Sequence, residues 1–165
     1  MGTMCSLHCP SCGYEAHLTL GIGFLYPVVF TETQEAAKSG KLGATLKRFF
    51  AEHPDGAVNP ELVAAQCEKC GDYKSVTSLD MYIPKTNREK SKPKGRWSVS
   101  MPFPNTDYVV FDEFEKQYTF YKAFPHRCGI CRGKVKILRK VDLQKLKCPH
   151  CTNQILTVEE YGRWD

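Results

Sequence analysis

Several things are missing from this 165-residue chain, and each absence narrows what it can be. No run approaches the roughly 18 apolar residues a membrane-spanning helix needs, and no apolar stretch follows a basic start as in a secretory leader. No His-Glu-x-x-His pair is present, no Gly-x-x-x-x-Gly-Lys phosphate loop and no Gly-x-Ser-x-Gly elbow, so the common hydrolase and nucleotide-binding signatures are excluded. Gly21-Ile22-Gly23 lacks a third glycine and reads as a bend. Asp112, Glu113 and Glu115 cluster, but acidic residues in a helical first turn are explained by the helix dipole. The sequence therefore offers no catalytic residue, and the expectation is a protein without catalysis of its own.

Cysteine is what the chain has in excess. Eight of its nine cysteines form four Cys-x-x-Cys knuckles: Cys9/Cys12, Cys67/Cys70, Cys128/Cys131 and Cys148/Cys151. A two-residue spacer lets a tight turn aim both sulfurs at one ion, and four knuckles supply two tetrahedral four-sulfur shells. Zinc is the default metal for such soft, closed shells, so two structural Zn2+ sites are expected as cofactors. Without a secretory leader, such knuckles suggest a reducing, cytoplasmic setting in which thiols bind metal. Two sites can be drawn from four knuckles in three ways. The sixteen residues between Cys131 and Cys148 suit a local zinc unit, which favours sequential pairing, 9/12 with 67/70 and 128/131 with 148/151. A domain-spanning arrangement is the alternative. Cys5 is left over and reads as inert. His8 and His150 flank ligands as neighbours, and His17, His53 and His126 are not spaced for joint chemistry.

Charge is distributed unevenly. The formal net charge is +5, but eight thiolates holding two divalent ions would bring it to about +1. Through Pro84 there are six Lys/Arg against nine Asp/Glu; between Lys85 and Arg96 there are six basic residues and only Glu89 opposing. From Arg127 to Lys147 eight basic residues face the single Asp142. Basic and aromatic residues interleave at Lys90, Lys92, Lys94, Arg96 and Trp97, and cations recur at Arg132, Lys134, Lys136, Arg139 and Lys140. Such groups neutralise phosphates and stack on unpaired bases, which makes them candidate nucleic-acid-binding residues for RNA or single-stranded DNA. The plainer reading is a solvated hairpin tip and a strand face that offsets the negative metal centre.

Periodicity supplies the frame. Tyr14, Ala16, Leu18 and Leu20 alternate with polar residues as in a half-buried strand. Thr31 and Gln34 fit a capping box, Ser39-Gly40 breaks the pattern, and Leu42, Leu46, Phe49 and Phe50 repeat at helical spacing until Pro54. Segment 62–66 enters the second knuckle, 76–83 reads as a strand, 97–101 as its returning partner and 112–124 as a helix. Val135 and Ile137 alternate with lysines, and 154–160 reads as a strand, with Tyr161 and Trp164 capping its core.

Cys-Pro-Ser-Cys-Gly at 9–13, Cys-Glu-Lys-Cys-Gly at 67–71 and Cys-Pro-His-Cys at 148–151 resemble the zinc-ribbon class of proteins. The resemblance covers the knuckles and adjoining hairpins and implies metal-clasped β-hairpins, with little implied about function. The first half is also similar to the bacterial CpXC proteins, which open and close with such knuckles; the 54 residues between Cys12 and Cys67 depart from that pattern. The expected fold is α+β. Residues 1–104 would form a zinc ribbon carrying a helical insertion (about 31–53) and a basic loop (85–96), and 105–165 a linking helix and a C-terminal ribbon. The expected function is presentation of basic and aromatic surfaces to a macromolecular partner, nucleic acid or protein. The alternatives are a protein–protein adaptor using the aromatic first half, where Phe24 to Phe30 is densely apolar, and a rubredoxin-like or dithiol redox protein.

Overall fold

The computed structural model describes residues 2–23, 25–85, 114–138, 143–151 and 154–164. They are mixed α+β with a β-rich character, and they divide into two compact units, each assembled from separate stretches of chain. The first comprises 1–24, 61–78 and 125–165; the second comprises 25–60 and 79–124. Both draw on residues from either side of position 104.

The first unit contains two three-stranded antiparallel sheets. In one, β1 (Gly2–His8) is central between β2 (Glu15–Leu20) and β9 (Thr157–Trp164). In the other, β4 (Leu62–Cys67) is central between β5 (Tyr73–Thr77) and β8 (Val135–Ile137). The expected alternation holds in β2, whose Ala16 and Leu18 are buried while Glu15 and His17 face solvent. Those apolar side chains join Leu7, Ala64, Tyr73, Leu146 and Leu156 in one core. The sheets are tied by the Thr19 N–H, which donates to Ser75 Oγ at 2.7 Å, and by a bridge between Gly21 and Leu62. Trp164 anchors the last strand by donating its indole N–H to the Leu20 carbonyl at 3.1 Å. Cys5 lies fully buried in β1, and burial, then the nearby Glu160, pushes its thiol pKa up. That placement disfavours the thiolate on which cysteine reactivity depends.

The second unit packs α1 (Tyr26–Ser39) and α2 (Ala44–Glu52) with a sheet of order β3-β6-β7, formed by β3 (Ala57–Val58), β6 (Met81–Pro84) and β7 (Tyr118–Lys122). Leu46, Phe49, Phe50, Val58 and Met81 form its core. The helix expected from Thr31 begins five residues earlier, because Pro27 occupies the first turn, where a missing N–H costs nothing. Thr31 is inside the helix and donates to the Pro27 carbonyl. Gln34 is buried: its amide donates to the Val58 carbonyl at 2.9 Å and accepts from the Val58 N–H at 2.8 Å, completing a strand edge.

Two further expectations are corrected. The strand read over 76–83 is interrupted at 78–80, where Leu79 takes a positive φ of 53° and the chain passes from one unit to the other. The helix read over 112–124 is, in its described part, a single turn at Phe114–Gln117 followed by β7. Tyr118, Thr119, Phe120 and Tyr121 favour the pleated surface they find beside β6. The returning strand expected at 97–101 and most of the basic loop lie outside the described residues.

Replacing Gln34 with alanine leaves both polar groups of buried Val58 unsatisfied, and should lower the urea-unfolding stability of the protein by about 2–3 kcal/mol. Replacement by glutamate should cost at least as much, since it removes the amide donor.

Candidate metal centres

Each knuckle sits at the tip of an antiparallel pair. The pairs flanking them are His8 with Glu15, Gln66 with Tyr73, Arg127 with Lys134 and Lys147 with Ile155. Closure of the turn is the same in the first three. The N–H of the first cysteine donates to the carbonyl five residues on: Cys9 to Tyr14 at 2.8 Å, Cys67 to Asp72 at 2.9 Å, Cys128 to Gly133 at 2.9 Å. The residue after the second cysteine donates back to the first cysteine's carbonyl at 2.9–3.0 Å, and it takes positive φ: Gly13 at 72°, Gly71 at 76°, Arg132 at 57°. Glycine accepts that conformation freely, and an arginine pays a steric penalty for it.

The knuckles pair in a nested order. Cys9, Cys12, Cys148 and Cys151 form one group and Cys67, Cys70, Cys128 and Cys131 the other, with all ligand atoms of each group within 4.8 Å of one another. Sequential pairing is thus overturned. The physical reason is the strand register: β8 pairs with β4, setting Cys67 opposite Val135, so the third knuckle meets the second. Likewise β9 pairs with β1, setting Thr157 opposite His8 and bringing the fourth knuckle to the first. Both centres lie in the first unit, one built from the outermost knuckles of the chain and the other from the two between them.

Sulfur–sulfur distances are 4.0 Å for Cys9–Cys151, 3.6 Å for Cys12–Cys148, 3.3 Å for Cys67–Cys131 and 3.9 Å for Cys70–Cys128. A tetrahedral ion with metal–sulfur bonds of about 2.3 Å holds its sulfurs about 3.8 Å apart. The donor set fits, and each centre could hold a metal ion. In addition, backbone N–H groups aim at sulfur: Lys69 and Cys70 at Cys67 Sγ (3.4 and 3.5 Å), His150 and Cys151 at Cys148 Sγ (both 3.4 Å).

Electrostatics follow from this crowding. The Cys70 N–H, outweighing partial burial, lowers Cys67 to about 6. At Cys9 burial opposes the thiolate, but the N–H groups of Cys12 and Ser11 prevail and lower it to about 7. Their partners are held the other way. Cys12 beside it, then burial, pushes Cys151 up to about 12. At Cys70 the Asp72 N–H favours the thiolate most strongly of any one group, but the Cys67, Cys131 and Cys128 sulfurs and burial together prevail, again to about 12. Without a cation, negative charge on one sulfur of each set is stabilised at its neighbours' expense. A divalent ion removes the conflict.

The two centres adjoin through side chains of the first unit. Tyr14, whose carbonyl closes the first knuckle, donates its hydroxyl to Asp72 Oδ1 at 2.8 Å, and Asp72's carbonyl closes the second knuckle. The Tyr73 N–H donates to the Tyr14 hydroxyl at 3.0 Å, and Tyr73 in turn donates to the carbonyl of Lys147, beside Cys148, at 2.9 Å. Burial, and then the Asp72 carboxylate, raises the Tyr14 pKa, so the hydroxyl stays a donor at neutral pH. The Tyr14 ring also meets His150 edge-on, with centroids 5.1 Å apart.

Of the other residues singled out, Arg132, Lys134 and Lys136 are exposed around the second centre. Lys90, Lys92, Lys94, Arg96, Trp97, Arg139 and Lys140 lie outside the described residues. His126 is turned inward, its Nε2 2.8 Å from the Ser78 carbonyl. Two further exposed cations lie near the second centre: Lys69, which has no counterpart in the basic stretches of the sequence, and Arg127, which belongs to the basic surplus of 127–147 but not to the candidate binding residues. Arg127 bridges to Lys134 across the hairpin, and a Cβ at Gly133 would come 2.7 Å from that of Lys69. Comparison with protein-family models, with curated proteins and with solved structures returned no match to this chain.

Double replacements test the nesting. Cys9→Ser with Cys148→Ser should leave a protein binding one metal ion, while Cys9→Ser with Cys67→Ser should leave none, read as metal per chain by elemental analysis; sequential pairing gives the reverse. Arg132→Gly should stabilise the metal-loaded fold by about 1 kcal/mol, since it relieves the left-handed strain.

Proposed function

We propose that the protein is a non-catalytic, zinc-stabilised binding protein that presents the surface around its second metal centre to single-stranded nucleic acid. The observation that carries this reading is the contrast between the centres' surroundings. Around the second centre, Lys69, Arg127, Arg132, Lys134 and Lys136 are exposed, and none forms an ion pair with a described residue. At the tip of the third knuckle Ile130 is 78% exposed, the most exposed large apolar side chain described. Cations ringing an apolar tip on a rigid turn suit a partner with a charged backbone and unpaired base faces. Around the first centre the exposed Lys145, Lys147 and Arg163 are balanced by the exposed Glu15, Glu159 and Glu160, whereas among the described residues only exposed Glu68 opposes the five exposed cations of the second.

A structural role for the metal is supported by the closed four-sulfur shells, which leave no position for water or substrate. Zinc suits that set, and a colourless protein carrying two zinc ions separates this reading from a rubredoxin-like one. The adaptor reading draws on the second unit, where Leu25, Val29, Phe120 and Tyr121 are exposed.

Affinity for a single-stranded oligonucleotide, followed by fluorescence anisotropy, should fall steeply with salt. Replacing Lys134 and Lys136 with glutamine should reduce the logarithmic salt slope by about 1.4, or about 0.7 per lost phosphate contact. Ile130→Ser should weaken binding without changing that slope. A salt-independent interaction, or one indifferent to all three changes, rejects the reading; a protein partner retained at high salt and lost on replacing Phe120 and Tyr121 would favour the adaptor.

A further inference from the structure

We infer that the two metal centres fill cooperatively, and that Tyr14 is the positioning residue that couples them. The inference rests on both centres taking up metal, and not on what the protein binds.

The structural basis is a set of contacts that each need both knuckles in place. Tyr14 reaches the first centre with its carbonyl, which receives the Cys9 N–H, and the second with its hydroxyl, through Asp72. Asp72 mirrors it, with its carbonyl receiving the Cys67 N–H and its carboxylate receiving Tyr14. The residues that close two knuckles of different centres are therefore hydrogen-bonded to each other. Independently, the second knuckle abuts the fourth. A Cβ on Gly71 would come 2.6 Å from the Pro149 Cβ, so Pro149 of the first centre packs on the turn of the second. Tyr73, beside the second knuckle, is anchored to the Lys147 carbonyl at the entrance to the fourth.

A turn that has not closed presents neither its carbonyl nor its side chain in the right place. Filling the Cys9/Cys12/Cys148/Cys151 centre fixes Tyr14, Pro149 and Lys147, and these hold 71–73 in the conformation that directs Cys67 and Cys70 at an ion. By reciprocity, filling the second centre favours the first by the same factor. The hydroxyl of Tyr14 is the only side-chain group in this network that both accepts from one strand (Tyr73 N–H) and donates to the closing residue of the other centre.

The test is a zinc titration of the metal-free protein followed by native mass spectrometry, which counts chains with zero, one and two ions. Independent centres of equal affinity give about half of the chains singly loaded at half saturation, and unequal affinities give more. Tenfold coupling reduces the singly loaded fraction to about a quarter. We expect a quarter or less for the wild-type chain. Tyr14→Phe should raise that fraction to a third or more while saturation still reaches two ions. Asp72→Asn, which keeps an oxygen to accept the Tyr14 hydroxyl but loses the charge, should fall between the wild type and Tyr14→Phe, and Asp72→Ala should behave like Tyr14→Phe. Gln34→Ala, in the other unit, should leave the distribution unmoved even though it destabilises the fold. A wild-type chain with half or more of its molecules singly loaded overturns the inference, as does a Tyr14→Phe chain that loads like wild type. Should Tyr14→Phe fail to fold, Asp72→Ala against Asp72→Asn decides the matter alone. A chain that takes up no metal would instead sink the proposed function and the inference together.

Discussion

Four sulfurs held within 4.8 Å of one another are the constraint on which the first unit depends. In that space like charges repel, so a full set of thiolates is unfavourable without a cation among them. An uncompensated cluster would push the knuckles apart, and with them the strands whose ends they join. A divalent ion turns the repulsion into a clasp. The hairpins on either side are short, with β8 only three residues long, and strands of this length rarely persist alone. With an ion in each set, metal and sheet would be mutually dependent, as is usual for small units with limited cores.

What could be read in advance divides along a physical line. Local patterns were legible: the four knuckles, the alternation from Tyr14 to Leu20, the break at Ser39-Gly40, the dry and wet faces of 134–137. They depend on residues within a few positions of each other. The partner of each knuckle was not legible, because it is set by strand pairing between β1 and β9 and between β4 and β8, over separations that leave no periodic trace. The sixteen-residue spacing from Cys131 to Cys148 pointed to a local centre, and the sheet overrode it. The start of α1 was misplaced because Thr31 and Gln34 imitate a capping box, while the helix is opened by Pro27. The Gln34 side chain was needed elsewhere, at the edge of β3. The network around Tyr14 left no sequence signal at all: it combines a residue after one knuckle with a residue after another, and only the fold puts them together.

The distribution of charge takes on meaning once the pairing is known. The lysine and arginine surplus between Arg127 and Lys147 divides between the centres: Lys145 and Lys147 enter the fourth knuckle, at the first centre, while Arg127, Arg132, Lys134 and Lys136 flank the second. Lys69, contributed by the opposite knuckle, adds to the same surface, while the first sheet exposes glutamates. Compensation alone would place cations equally at both centres, since both carry the same four-sulfur set. The larger net surplus at the second centre is what the compensating role leaves unexplained, and the proposed phosphate-bearing partner would account for it.

Nesting by itself couples the centres weakly, and magnitudes show why contacts must supply the rest. Closing the inner centre shortens the loop that the outer centre must close: of the chain between Cys12 and Cys148, the 54 residues before Cys67 and the sixteen after Cys131 remain free. That is about half the original span, and halving a loop saves only about 0.6 kcal/mol, or roughly a threefold gain in affinity. The bond from Tyr14 to a carboxylate belongs to a stronger class, about 1.5–3 kcal/mol for hydrogen bonds to charged groups. At 2.8 Å, and with the hydroxyl partly shielded from water, it has the geometry to approach that range. Chain topology can therefore bias the order in which the centres form, but a tenfold or larger linkage between them has to come from the side chains that join their walls.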